Sequence, residues 1–398
     1  MRSVAFLISN TRHHLEMSAP VIRRLAQDDN VDCRLLSLCE LRGQVTPVEK
    51  LEAEGIRCRR IVPFHIRRGA IARGVSASKE TSNRHSKLRA LFWHLLLRPR
   101  LARLLSPRPD LVVTPNDAAY PYDRIAGWLR SEDVPFLLMQ EGIRFELPGV
   151  PRRLAYGRGG AAAIAAWGAS SSEYFRDLGV SGERVRIVGN PRFDRIPTEN
   201  ESCSAKPEPE LLLVTNPIEE QGFCSAAEKL TLVRRFVDGS ASVVSEQNLR
   251  LTLKLHASES REAYERAIRS SPAAGRLRIV EDQPLFRLLA DARAVVIMAS
   301  TVGLEALLFQ KPVGVLEIPG TGYVFDYVSE QAALGLTWSR PMAEQVLDLL
   351  NYDSPGASRF LDKHLHRSMS GSSTEAIARV VVDLLQSDHP SLLSHDRA

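Results

Sequence analysis

The stretch VVIMASTVGLEALLFQKPVGVLE, Val295 to Glu317, decides how the rest of the chain is read. Val295 to Ala299 is a short apolar run of the kind buried in a parallel sheet, and Leu304, Leu307 and Leu308 recur at i, i+3 and i+4, one face of a helix. Lys311-Pro312 ends that helix, and Val313 to Leu316 is apolar again. The segment therefore predicts one strand, helix, strand unit of a parallel sheet. In such a unit the loop entering the helix lies at the carboxyl edge of the sheet, where unpaired N–H groups and the helix dipole favour an anion. Ser300 and Thr301 stand in that loop, and Glu305 follows one turn on. Ser and Thr are also ordinary helix caps, but a reciprocal capping box from Thr301 needs Glu or Gln at 304, which is Leu.

Outward from this unit, strand and helix signals alternate along the chain. SVAFLIS precedes a helix expected to carry Pro20 in its first turn, followed by DCRLLSL, a helix over Glu49 to Glu54 and GIRCRRIVPF. Then come DLVVTPN, a helix near Arg124 to Arg130, PFLLMQEG, AAAIAAWG, a helix from Ser171 to Leu178, and RVRIVGNP. The polar, proline-containing stretch RIPTENESCSAKPEPE, Arg195 to Glu210, has no apolar periodicity and reads as a linker. A second alternating half follows: LLLVTNP, a helix around Ala226 to Val237, LRLTLKLH, a helix over Ser260 to Ile268, LRIVED, a helix from Pro284 to Ala290, and the opening unit. The expectation is an α/β chain with a first domain over 1–194, a linker over 195–210 and a second domain over 211–398, its last helix able to pack back on the first. Two such domains facing each other across a cleft would line it with the carboxyl ends of both sheets.

Composition narrows the function classes. With 398 residues, 44% hydrophobic and 25% charged, the chain can fill two cores. No apolar run approaches the ~20 residues of a membrane span, and MRSVAFLISN reads as a strand rather than a signal peptide, so the expected compartment is the cytoplasm. The cysteines, Cys33, Cys39, Cys58, Cys203 and Cys224, are five, scattered and never paired as CxxC, which supports neither a disulfide framework nor a zinc site. No Asp-x-Asp triplet occurs, and no metal is expected. Charge is uneven: Arg57 to Arg103 holds thirteen Lys or Arg against Glu80 alone, +12 within a total of +5. Inside it LRALFWHLLLRPRLARLL, Leu88 to Leu105, mixes Phe92, Trp93 and leucines with arginines. That pattern suits first a core-facing helix with a basic outer face; the other reading is an interfacial helix, with residues 57–105 as a peripheral contact with the inner face of a membrane or an anionic acceptor. Without a recognition motif beside the charge, nucleic acid is not the expected partner.

Candidate site residues are those at the strand ends. The first half supplies Asn10, Thr11, Arg12, His13 and His14, then Asn116 and Asp117, then Gln140, Glu141 and Gly142. The second supplies Thr215, Asn216 and Pro217, then Lys254 and His256, which alternate on one strand and should point the same way, then Glu281 and Asp282, then Ser300 and Thr301.

Five pieces of the chain resemble the GT-B glycosyltransferases, most closely the bacterial surface-polysaccharide branch related to UDP-N-acetylglucosamine 2-epimerases, CDP-glycerol glycerophosphotransferases and bacterial sialyltransferases. They are MQEG at 139–142, WGASSSEYFRDLGV followed by VGNPRFD at 188–194, LKLHAS at 253–258, DQPLFRLLADARAVV at 282–296 and STVGLEALLFQKPV at 300–313. Together they span roughly half of the chain in the order and spacing of that group. One departure is His256-Ala257, where the group usually reads His-Pro.

The resemblance implies a metal-independent inverting glycosyltransferase with two Rossmann-like domains, no cofactor, a nucleotide-sugar donor and a glycan, lipid-linked or secondary-metabolite acceptor, working in capsule or cell-envelope polysaccharide synthesis. It implies nucleotide binding by Thr215, Asn216, Lys254, His256, Asp282, Ser300, Thr301, Gly303 and Glu305, the last toward the ribose. The base that takes the acceptor proton is expected at Glu141, which resembles the acid-rich turn of related sialyltransferases, with His13, His14 and Asp117 as rivals. Asn10, Arg12, Asn116 and Gln140 are the expected acceptor-binding residues. The alternatives are a CDP-glycerol-type phosphotransferase, a non-hydrolysing sugar-nucleotide 2-epimerase, which would want further carboxylates and a different first loop, and a non-catalytic binder of anionic polymer or membrane.

Overall fold

In the computed structural model, residues 1–62, 87–144, 155–196, 209–256, 258–366 and 372–387 are described. The chain divides into two units, Met1–Arg195 with Lys363–Ala398, and Ile196–Asp362. Of the linker expected over 195–210, residues 197–208 lie outside the described residues, as does 63–86 of the basic stretch.

Unit 1 is built on β1 (Arg2–Ile8), β2 (Val31–Ser37), β3 (Cys58–Arg60), β4 (Leu111–Thr114), β5 (Phe136–Met139), β6 (Ala163–Ala166) and β7 (Val185–Ile187), all parallel in the order β3-β2-β1-β4-β5-β6-β7. Alternation along the strand explains the two-sided core. In β1, Val4, Phe6 and Ile8 enter one apolar cluster while Ala5 and Leu7 enter the other, and all five are at most 1% exposed. Each fully buried side chain of this kind contributes roughly 1.5–3 kcal/mol. On the first face α1 (His13–Leu25) packs against α14 (Ser373–Gln386), whose Ile377 and Val381 join the same cluster. Asp194 fastens α14 there, its carboxylate accepting the amides of Ser373 at 2.9 Å and Thr374 at 2.8 Å.

One expectation for this unit is corrected. Pro20 lies well inside α1 rather than in its first turn, because the helix starts at His13. The start is fixed by the Asn10 carboxamide oxygen, which accepts the amides of Arg12 at 2.9 Å and His13 at 3.0 Å. Both histidines therefore stand at the amino end of α1.

Unit 2 repeats the plan with β8 (Glu210–Val214), β9 (Arg250–Lys254), β10 (Leu277–Val280), β11 (Ala292–Ile297), β12 (Val313–Leu316) and β13 (Leu334–Leu336), parallel in the order β10-β9-β8-β11-β12-β13. The opening unit of sequence is β11, α11 (Val302–Leu308) and β12. Gly303 is small for a packing reason. A Cβ there would sit 2.7 Å from both Ile297 Cδ1 and Tyr327 Cζ. The expectation that Lys254 and His256 share a strand is also corrected, since β9 ends at Lys254 and His256 lies beyond it.

Candidate functional site

Both sheets change direction of winding next to their first strand. In unit 1, β1 leads outward to β2 while its other neighbour is β4, so the loops after β1 and β4 part at their carboxyl ends and leave the crevice where open α/β sheets hold ligands. Three predicted residues converge there. His14, on α1, approaches Oε2 of Glu141, which follows β5, with its Nε2 at 2.7 Å. Asn116, which follows β4, donates its side-chain amide to Oε1 of the same carboxylate. Asn116 is itself aimed by the amides of Ala118 at 2.9 Å and Ala119 at 2.8 Å, both donating to its Oδ1.

The histidines are held in single tautomers by their neighbours. The Ser9 amide donates to Nδ1 of His14 at 3.1 Å, which puts the ring proton on Nε2, toward Glu141. The Nε2 of His13 lies 2.7 Å from the carbonyl oxygen of Glu141, which can only accept, so His13 also carries its proton on Nε2 and keeps a lone pair on Nδ1. Burial, reinforced by the nearby Arg192 guanidinium, lowers the His13 pKa to about 3. For Glu141 burial pushes upward, but the hydrogen bond from His14, the charge His14 carries when protonated and the guanidinium groups of Arg42 and Arg144 prevail and lower the carboxyl to about 2. Its side chain remains 25% exposed while that of His14 is 3% exposed. The arrangement is an ionised carboxylate with a fixed orientation and one face toward solvent.

Other predicted residues of this unit serve its framework. Both oxygens of Asp117 are committed to backbone, accepting the amides of Gly157 at 2.9 Å and Gly159 at 2.7 Å, and the residue is 4% exposed. Burial raises its pKa against those two hydrogen bonds. Gln140, 1% exposed, donates to Gly142 O at 2.7 Å and Ser171 Oγ at 2.8 Å and accepts from the Trp167 amide at 2.8 Å. It braces the turn that presents Glu141. Asn10 caps α1, and Arg12 is exposed at the rim. Arg42 and Arg144 were not singled out in the sequence. Arg144 lies over the Tyr156 ring at 4.0 Å and donates to Gly142 O at 2.8 Å, a placement that no local pattern announces.

In unit 2 the corresponding crevice lies between β8 and β11. Asn216, after β8, bridges it by donating its side-chain amide to Ala299 O at 2.6 Å. Ser300 Oγ accepts the Val302 amide at 3.2 Å, and the hydroxyl of Tyr327 accepts the Leu304 amide at 2.9 Å while donating to Ser300 O at 3.2 Å. Two amides at the start of α11 are thus engaged within the protein, and Tyr327, stacked on Phe360 at 4.4 Å, is the clamp that the sequence reading missed. Glu305 is 2% exposed on α11, Thr301 is half-buried, and Asp282 is exposed.

Lys254 is a brace, donating to the carbonyls of Leu255 at 2.8 Å and Glu281 at 2.9 Å. Thr215 donates to Glu259, whose buried carboxylate also takes Lys229 at 2.7 Å, Tyr264 at 2.7 Å and the His256 amide at 2.8 Å. That network sets the backbone of His256. Its imidazole is exposed, and Nδ1 accepts the Ser258 amide at 3.2 Å, which leaves the proton on Nε2. Among the described residues no cluster of three or more His, Cys, Asp or Glu is placed to hold a metal ion.

Residues 244–348 match the family model of capsule polysaccharide biosynthesis proteins. No curated protein matches the chain. Among solved structures, the UDP complex of MnaA from S. aureus is 14% identical with a TM-score of 0.64, covering 96% of this chain and 98% of its own. The Methanocaldococcus jannaschii UDP-GlcNAc 2-epimerase with UDP-GlcNAc and UDP is 12% identical with a TM-score of 0.64, over 96% and 99%. CalG4, the calicheamicin glycosyltransferase, is 13% identical with a TM-score of 0.59, over 98% and 100%. The fold is GT-B, two Rossmann-like α/β units.

Proposed function

We propose that the chain is a sugar-nucleotide enzyme of capsule or related surface-polysaccharide synthesis, and specifically an inverting glycosyltransferase that needs no resident metal. The observation that carries this reading is the Glu141 carboxylate, aimed by His14 and Asn116 at the switch point of the unit 1 sheet. The capsule-synthesis match over 244–348 supports the process, and the GT-B fold supports the donor class.

In this reading the acceptor hydroxyl binds beside Glu141. Its oxygen bonds to the anomeric carbon as the bond from that carbon to the phosphate oxygen breaks, and the electron pair leaves with the nucleoside phosphate. The acceptor proton passes to Glu141. A carboxylate with a pKa near 2 is a weak base toward a resting alcohol, but the acceptor oxygen becomes an oxonium as the new bond forms, and an oxonium protonates even a weak base. His14 and Asn116 are positioning residues for that step. In unit 2, Ser300, Thr301 and His256 supply hydroxyl and imidazole donors for the leaving phosphate, and Asn216 holds the two loops in register.

Several structural neighbours are named as 2-epimerases, so the test must separate transfer from isomerisation. Thermal-shift titration with UDP, CDP, CMP, GDP and dTDP identifies the base, since ligand at a hundred times its Kd adds about 2.7 kcal/mol. The matching radiolabelled sugar nucleotides are then offered with oligosaccharide and lipid-linked acceptors. Label moving to acceptor supports the proposal. Label remaining in an isomerised nucleotide sugar replaces it with the epimerase, and no nucleotide binding at all removes both.

A further inference from the structure

The helical segment 87–104 of unit 1 has two apolar sides, and only one of them is used by the core. It runs as α3 (87–92), a π-helical turn over Trp93–Leu97, and α4 (Arg98–Leu104). The π turn lies where Pro99 has no N–H to offer the Leu95 carbonyl, the usual setting for a wider turn. Trp93, Leu97, Leu101 and Leu105, spaced by four, are buried at 5% exposure or less in the cluster that also holds Ala5, Leu7 and Val112. These four residues satisfy the core.

On the outer side stand Leu88, Leu91 and Leu95, at i, i+3 and i+7, exposed by 64%, 55% and 70%. Six large apolar side chains are exposed among the described residues, and three of them form this one stripe. Scattered surface leucines need no explanation, but a row of them at helical spacing on one face does. The same outer side carries Lys87, His94, Arg98 and Arg103, all exposed and without a carboxylate in the helix. Arg98 has Glu132 at 3.8 Å, an exposed pair that competes little with another anion. In sequence the helix belongs to the stretch Arg57 to Arg103, thirteen cations against one carboxylate, but Arg57, Arg59 and Arg60 lie beside Asp32, Glu52 and Glu40, so among the described residues the rim is supplied by the helix's own cations.

We propose that this face docks on an anionic lipid surface, with Leu88, Leu91 and Leu95 entering the acyl boundary and Lys87, Arg98 and Arg103 lying among the lipid phosphates. An interfacial helix needs an apolar stripe sunk a few ångströms below a cationic rim, and the charge of the rim selects the partner: a negatively charged bilayer. A protein partner with an apolar groove, or a second copy of this chain, would cover the leucines but would not by itself call for the concentration of cations. Among the described residues no helix is long and apolar enough to cross a membrane, so the contact is peripheral. The proposal goes beyond the reaction and stands independently of which sugar transfer or isomerisation the chain performs.

The test uses the full chain and sedimentation with vesicles of phosphatidylcholine, with and without a third of phosphatidylglycerol. The wild type partitions onto the anionic vesicles, less onto the neutral ones, and its binding weakens with salt. The triple variant L88S/L91S/L95S, whose core residues are untouched, keeps its circular dichroism and melting temperature and loses at least about tenfold in partition coefficient. The variant K87Q/R98Q/R103Q keeps residual binding to both vesicle types but loses the preference for anionic lipid. Unchanged binding by the serine variant overturns the proposal, as does failure of the wild type to partition. Concentration-dependent dimerisation that the serine substitutions abolish, without vesicle binding by either protein, overturns it in favour of a second copy as the occupant.

Discussion

Glu141 Oε2 takes the Nε2–H of His14 at 2.7 Å, across 127 residues of sequence, while the amide of Ser9 fixes the other side of the same imidazole. A carboxylate held this way has one geometry and one charge. Replacing Glu141 by Gln keeps the size and an oxygen for His14 but removes the proton acceptor. Transfer in Glu141→Gln should fall by about 10²–10⁴ in kcat, the usual share of general base catalysis, while Kd for the nucleotide stays within twofold. Steady-state kinetics with isothermal titration of the nucleotide checks both halves, and a variant that retains wild-type kcat removes Glu141 from the reaction.

The same carboxylate gives the protein an acid-sensitive component of stability. Its folded pKa of about 2 lies below the ordinary 4.5, so the stability it contributes is complete above 4.5 and is lost as pH falls toward 2. His13, lowered from 6.5 to about 3 by burial, acts in the same direction over a higher window, favouring the folded state fully above 6.5 and losing that advantage on acidification through 3. Melting temperature measured against pH should therefore fall less steeply below 4.5 in Glu141→Gln, and less steeply between 6.5 and 4.5 in His13→Asn. Parallel curves for wild type and variants would show that neither group is held as described.

Tyr327 and Gly303 form a pair in which each explains the other. The phenol reaches the Leu304 amide only because position 303 has no side chain, and a Cβ there would meet Tyr327 Cζ at 2.7 Å. Gly303→Ala should cost about 1–3 kcal/mol through overpacking, and Tyr327→Phe about 1 kcal/mol, since the phenol's bonds to Leu304 and Ser300 are lost while the Leu304 amide keeps the Thr301 carbonyl at 3.1 Å. If the loop over Ser300 and Thr301 also holds the nucleotide, both variants weaken its binding more than their melting temperatures alone suggest. Urea titration and nucleotide thermal shift on the two proteins measure these effects. An alanine at 303 with wild-type stability would mean that the clamp has slack.

How far the sequence led is clear from the residues themselves. The order of strands and helices was legible because parallel strands are apolar throughout and their helices repeat at 3.6 residues. β12 (Val313–Leu316) falls where the pattern places it, and α11 lies between the two strands as read. The carboxyl strand ends are legible as places, and His14, Asn116 and Glu141, each at such an end in the sequence, meet in the structure. Their division of labour is not legible there. Whether a polar side chain faces solvent or feeds the backbone depends on contacts between distant positions. Asp117 with Gly157 and Gly159, Gln140 with Trp167 and Ser171, and Lys254 with Glu281 are such cases. Pro20 shows the same limit in a helix. A preference for the first turn lost to the Asn10 cap ten residues upstream. Tyr327 lies in a stretch without periodicity, so nothing nearby marked it.

The buried cation Lys229 lies between Glu219 and Glu259 and is 4% exposed at its side chain. Glu259 is 2% exposed and receives Lys229, Tyr264, Thr215 and the His256 amide. Burial alone would raise its pKa, and the charge and hydrogen bond of Lys229 turn the balance downward. Lys229→Met therefore strands a negative charge in the interior, which should cost about 3–5 kcal/mol and lower Tm by roughly 10 °C. Adding Glu259→Gln removes that charge; the one carboxamide oxygen still accepts the His256 amide while the NH2 group faces the Tyr264 hydroxyl, which can turn to accept, so the double variant should be more stable than Lys229→Met alone. Calorimetry on the two single variants and the double gives the coupling. A double variant whose loss equals the sum of the singles would mean that Lys229 and Glu259 do not act as a pair.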